Sequence, residues 1–276
     1  MNKNVINQSV LSFTPDFPGL KGVTISARQF PIEPFLVFTE FRMDQPVFGP
    51  HPHAGISVMT YMLPDSLGSF INRDSLGDFS TIEPGGLHIT QAGSGVHHDE
   101  FPKTSGLETH GFQIWINHTE KNRWVPPKSM HATADEIPEV KTAFYKVRVL
   151  HGSFGHQKAP HTLVTSVTLL HVFLQPQHTI EFPTASMAFV YGLNGQGSSN
   201  GYSISGQTLL NYDTIGDRVV IEAGADGMEF MLGTGIPLNE PIVYGGPFVM
   251  TTQQQMTSTQ ARYTEGSMGT LSYYKG

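Results

Sequence analysis

The stretch FGPHPHAGIS (48–57) places His51 and His53 two residues apart. On an extended strand, residues i and i+2 face the same way, so both imidazoles can turn to one ion without bending the backbone. Two ligands do not complete a site. The second candidate stretch is GSGVHHDEFP (93–102), a glycine-rich approach to a short polar strand. Alternation there allows His97 with Asp99 or His98 with Glu100, and periodicity does not choose between them. Either pair brings the set to three imidazoles and one carboxylate. Such a set suits one borderline divalent metal: Fe(II) foremost, with Zn, Mn, Ni or Cu also able to use it. Four protein ligands in an octahedral field leave two positions, for a substrate oxygen and for O₂ or water. That is the arrangement of a mononuclear non-haem iron centre. HPH alone also fits an exposed loop, and the two spaced pairs together carry the metal reading. His88, His110 and His118 read as structural rather than ligating. No HExxH, GxSxG or phosphate-loop pattern offers a competing chemistry.

Short strands must position these groups. ISVMTYML (56–63) is β-branched and aromatic and ends at a turn. HGFQIWIN (110–117) sets His110, Phe112, Ile114 and Ile116 on one face and Gln113 and Trp115 on the other. Residues 167–174, 186–193, 217–223 and 228–232 continue the pattern, with turn signals such as DSLGD, EPGG, LNGQG and GADG between them. Many short strands at this spacing predict an all-β fold. Only the region 250–268 reads as a polar helix, with a further short one in the 120s to 140s.

The chain also echoes itself. TIEPGGLHI (81–89) resembles VIEAGADGMEF (220–230), and VMTYMLPDSLGS (58–69) resembles AFVYGLNGQGSS (188–199), in the same order. This predicts a duplicated β-barrel with a joint near 120–150. Aligning Tyr61 with Tyr191 puts Glu181 opposite His51 and Pro183 opposite His53, so the metal belongs to the first half. The expected divisions are a metal-binding barrel over 1–125, a barrel without ligands over 126–249, and a C-terminal segment over 250–276.

Bulk properties narrow the partners. The 276 residues carry a net charge of −7 with no run of Lys or Arg, which argues against direct nucleic-acid binding. The absence of cysteine removes disulfides, thiolate metal sites and cysteine nucleophiles. No stretch approaches the roughly 18 apolar residues of a membrane span, and MNKNVINQSV lacks a signal-peptide core. A cytoplasmic protein without membrane association is the expectation.

The motifs HPHAGISVMTYML, RDSLGD, EPGG followed by TQAGSGVHHDEFP, HGFQIWIN and EPIVYGGPFVMTT together resemble the pirin family, bicupins of the cupin superfamily. The resemblance spans about residues 20–270. It implies two cupin-type β-barrels, a metal in the first, and a C-terminal segment returning to pack on it. The family's ligand pattern falls here on His51, His53, His98 and Glu100, with His97 and Asp99 on the opposite face. It further implies quercetin-dioxygenase-like chemistry: a flavonol-like substrate and O₂ meet at the metal, Glu100 serves as general base, and the heterocycle is cleaved with release of carbon monoxide. A second implied role is an iron-dependent redox-sensing partner of transcription factors or metabolic enzymes. Five positions depart from the family pattern: Ala54 for a common Arg, Ser57 for Glu, Gly86 for Asp, His88 for Gln and Ser94 for Arg. His88 is a candidate auxiliary donor behind the ligands.

Overall fold

The computed structural model describes residues 1–274. The first barrel is built from two antiparallel sheets. A seven-stranded sheet runs, in spatial order, Lys128–Ala132, Leu87–Gln91, Ile56–Met62, Thr109–Asn117, Phe35–Met43, Leu20–Ser26 and Thr14–Phe17. A four-stranded sheet of His51–His53, Val96–Pro102, Phe70–Asp74 and Phe79–Ile82 carries both histidine stretches. The second half forms a nine-stranded sheet whose long strands are Met187–Ser199 and Arg218–Gly235. The chain is therefore all-β, with two β-barrel halves and one α-helix, Gln253–Thr264, among the described residues.

The strand 167–174 lies where alternation predicts, and 56–63 and 110–117 shift by one residue at an end. The segments 217–223 and 228–232, expected as two strands parted by a GADG turn, form the single strand Arg218–Gly235. Its two ends pair with different neighbours, residues 218–222 with Thr179–Pro183 and 228–235 with Val167–Leu174. Register shifts opposite it in Met187–Ser199, at Gly192/Asn194 and Gly195/Gly197, let it bend without leaving the ladder. The short helix expected in the 120s to 140s is two 3-10 turns, Glu120–Asn122 and Ala134–Glu136.

Strand pairing crosses the division expected at residue 125. Val5–Val10 pairs with Thr208–Tyr212 in the second sheet, while Lys128–Ala132 completes the first. Each exchanged arm covers a row of backbone groups that would otherwise form an open edge.

The middle strands of the seven-stranded sheet, Ile56–Met62 and Leu87–Gln91, are buried on both faces, which explains their strand chemistry. One face of the sheet sends Phe35, Phe38, Met59, Tyr61, Phe112 and Ile114 against Leu169, Phe189, Tyr191 and Met231 of the second half. Phe38 meets Phe189 edge-on with centroids 5.1 Å apart. Each such buried ring contributes about 1.5–3 kcal/mol by area alone. The aligned tyrosines both reach across this seam. Tyr191 donates to Glu40 Oε2 at 2.6 Å, and His110 Nε2–H donates to Glu40 Oε1 at 2.8 Å. Tyr61 donates to His171 Nδ1 at 2.8 Å, and His171 Nε2–H donates to Glu229 at 2.8 Å. His110 is thus structural, as its sequence context suggests, and so is His118, whose Nε2 bonds Ser57 Oγ at 2.8 Å in a buried pair.

The C-terminal segment lies on the first barrel. The Val249 amide donates to the Ala54 carbonyl at 3.1 Å, and Ala54 packs with Phe248, Met250, Met256 and Met268. Gly55 has φ +80°, and a Cβ there would fall on the Val249 carbonyl oxygen, so the close approach requires glycine. Arg123 is fully buried and donates to the Gly55 and Val249 carbonyls, Asn117 Oδ1 and Thr251 Oγ1. The helix is shorter than the expected 250–268: Thr252 caps its start, accepting from the Gln255 amide, and Gly266 at φ +76° follows its end. The last two residues of the expected segment 250–276 lie outside the described residues.

Candidate metal centre

Antiparallel pairing of His51–His53 with Val96–Pro102 sets His98 opposite His51 and Val96 opposite His53. The imidazoles of His51, His53 and His98 form a triangle with ring centroids 5.0, 4.7 and 4.8 Å apart. One ligand nitrogen from each lies within 4.8 Å of the others, so the three histidines can hold a metal ion. The two pairs left open by alternation separate here. His97 faces away and packs on Tyr263 of the helix at 5.4 Å, and Asp99 forms a buried pair with Arg73. His98 and Glu100 turn inward.

Backbone carbonyls select the tautomers. His51 Nδ1–H donates to Gly49 O at 2.9 Å and His53 Nδ1–H to Pro247 O at 3.1 Å, which leaves each Nε2 lone pair for a ligand. Nε2 of His53 and both ring nitrogens of His98 are buried without a hydrogen-bond partner. Buried polar atoms are rarely left so, and a divalent cation accepting one lone pair from each ring satisfies Nε2 of His53 and one nitrogen of His98. Burial is also the main reason that all three imidazoles sit below their ordinary pKa, His53 at about 3, aided by its neighbour His51. They are neutral at neutral pH, the form that binds metal. The donor set fits one borderline divalent metal.

Glu100 is not among the clustered donors. Its Oε1 accepts from Thr60 at 2.5 Å and its Oε2 from Gln113 at 2.9 Å, and Gln113 also donates to Thr60 at 2.7 Å. Burial raises its pKa to about 7; the Thr60 hydrogen bond works against the shift and the Asp99 charge adds to it. Its carboxylate and two of the imidazoles open onto a cavity of about 400 Å³, walled by Leu20, Phe41, Met43, Phe48, Phe70 and Trp115. Trp115 stands edge-on to His53 at 5.0 Å.

Thr60, Gln113 and Trp115 carry functional contacts that sequence reasoning did not assign. A signal existed for two of them: Gln113 and Trp115 lie on the strand face opposite Phe112 and Ile114, and that face is the barrel interior. The Pro247 carbonyl, 194 residues from His53, had none. The positions departing from the family pattern scatter. Ala54 lies under the C-terminal segment, Ser57 in the seam, Gly86 in a turn, and Ser94 beside Arg262 of the helix. His88 alone faces the barrel interior, paired in register with Thr60 and His131 across the sheet. In the second half, Thr179–Pro183 turns Glu181 and Pro183 outward, while Ile180 and Phe182 fill the barrel with apolar core.

Comparison with known proteins agrees with this architecture. Residues 26–116 match the Pirin family model, and residues 169–269 match the Pirin C-terminal cupin domain. A pirin-like protein of Solanum lycopersicum is 31% identical over 245 residues, covering 86% of this chain and 82% of its own length. The fold superposes on a structure titled quercetin 2,3-dioxygenase from Acinetobacter baumannii with a TM-score of 0.89 at 23% identity, covering 99% of this chain and 100% of that one. It also superposes on the bacterial pirin YhhW of Escherichia coli in complex with nickel(II), with a TM-score of 0.67 at 17% identity, covering 84% and 100%. No helix among the described residues is long and apolar enough to cross a membrane. With both halves matched in order and a relative at this identity aligned over most of its length, the chain belongs to the pirin family.

Proposed function

We propose that this chain is a metal-dependent dioxygenase acting on flavonol-like substrates with O₂. One divalent metal, Fe(II) foremost, is held by His51, His53, His98 and Glu100. The observation that carries the reading is three convergent imidazoles, two of which open with the buried Glu100 carboxylate onto an apolar, aromatic cavity. The likeness to a structure titled quercetin 2,3-dioxygenase supports it. A volume of about 400 Å³ lies within the roughly 300–1,000 Å³ of small-molecule sites.

When bound, the metal would supply Lewis acidity toward a substrate oxygen and a common site for substrate and O₂. The protein's own groups do the rest. Phe41, Phe48, Phe70 and Trp115 receive a flat aromatic ring system and exclude water. Glu100 accepts the proton of the substrate hydroxyl at a carboxylate oxygen. Thr60 and Gln113 fix the orientation of that carboxylate by donating to both of its oxygens. The test is aerobic incubation of quercetin with iron-loaded protein, with Glu100→Gln alongside. Loss of the flavonol absorbance with the parent and not with the variant is expected; no loss with the parent under saturating iron overturns the reading.

A further inference from the structure

A second cavity, of about 500 Å³, opens at the end of the second barrel, where His151, Thr168 and Thr234 at strand ends meet the loops around 158–163 and 183–185. It shares no lining residue with the metal cavity. Its titratable lining groups are Lys158, His151 and His161, with six hydroxyl side chains and no carboxylate. In a chain of net charge −7 this is a local inversion of charge. Lys158 enters no ion pair among the described residues.

Two polar atoms of the lining lack partners. His151 is 4% exposed and its Nδ1 is buried without a hydrogen bond, as is Oγ1 of Thr184. Buried groups of this kind are ordinarily satisfied, by protein, water or ligand. His161 Nε2–H donates to the His131 carbonyl at 2.8 Å, which fixes its ring. A cation finds no compensating charge here, and an apolar ligand would strand the hydroxyls and imidazoles. An anion meets a lysine, two imidazoles and hydroxyl donors together.

We propose that this cavity binds a small oxyanion, the carboxylate or phosphate group of a small molecule. Lys158 holds its charge, and the His151 ring with the hydroxyls of Ser153, Thr168 and Thr184 donates to its oxygens. Burial, and then the neighbouring His161, lower the pKa of His151 to about 4, so its ring is neutral without an anion beside it. A bound anion favours the protonated form of the His151 ring.

The test titrates the full-length, metal-loaded protein with sodium phosphate and, separately, sodium citrate at constant ionic strength, following the imidazole C–H signals of His151 and His161 by NMR. The expected result is a saturable shift with a Kd of about 1 mM or tighter, weakened about tenfold in Lys158→Gln, a change at an exposed position. Saturation by phosphate alone identifies a phosphate site, and by citrate alone a carboxylate site. Three results overturn the proposal: saturation by neither, titration of Lys158→Gln like the parent, or loss of the response in His51→Ala, which would place the anion in the metal cavity.

Discussion

Arg123→Met tests how the C-terminal segment supports the metal centre. The guanidinium donates four hydrogen bonds, at 2.9 to 3.1 Å, to Thr251 Oγ1, the Gly55 and Val249 carbonyls, and Asn117 Oδ1. Methionine supplies no donor, so four buried acceptors lose a partner. At about 1–1.5 kcal/mol each the gross loss is about 4–6 kcal/mol. Burial of the methionine side chain returns about 1.5–3 kcal/mol. The net destabilisation of about 1–4.5 kcal/mol lowers the melting temperature by about 2–18 °C. The same change frees the segment 247–251 from the first barrel, and Pro247 in that segment fixes the His53 tautomer. Loss of an outer partner of this kind weakens metal binding by about 10–100-fold. Calorimetry in the presence of chelator gives the first quantity, and competition with a chromophoric chelator gives the second. An unchanged melting temperature would refute Arg123 as a buried pin. A lowered melting temperature with unchanged metal affinity would refute the link from the segment to His53.

Glu100→Gln keeps three imidazoles, so the variant retains metal at reduced affinity while flavonol turnover under saturating metal falls by about 10²–10⁴-fold; turnover within threefold of the parent would remove Glu100 as the base. Metal binding is expected to quench Trp115, which stands 5.0 Å from His53, and Trp115→Phe should abolish the fluorescence response. A response surviving in that variant would place the metal elsewhere. Acid sensitivity follows from His88, His118 and His151, each held at about 4 chiefly by burial. Their folded pKa values lie below that of about 6.5 in the unfolded chain, so the unfolded state binds more protons between the two. The contribution of these three groups is therefore flat above about pH 6.5 and falls toward pH 4, by up to about 1.4 kcal/mol per pH unit for each, outweighing the single opposing slope of Glu100, whose pKa is raised to about 7. Urea midpoints from pH 8 to 4.5 check this, and a midpoint constant from pH 7 to 5 would contradict it.

Much of the site was legible because its logic is local. The i, i+2 spacing of His51 and His53 survives directly as two side chains on one strand face, and alternation in 93–102 narrowed the partners to two pairs. Choosing between those pairs needed more than periodicity, since burial against Tyr263 and Arg73 turns His97 and Asp99 outward. The echo of Tyr61 in Tyr191 correctly signalled duplication, yet nothing local shows that both hydroxyls cross the seam. Long-range exchange was invisible: Val5–Val10 finds its partner about two hundred residues later, and Arg123 meets Val249 across 126 residues. The GADG segment misled because glycine marks a bulge as readily as a turn, and only the pairing on both sides decides.

The most direct test of the account is an anomalous-diffraction experiment on crystals of the metal-loaded protein, collected at the absorption edge of the bound metal. The account predicts one peak per chain, coordinated by His51, His53, His98 and the Glu100 carboxylate, and no peak there in His98→Ala. A peak elsewhere, or a metal held by the three imidazoles with the Glu100 carboxylate outside coordination distance, would contradict it.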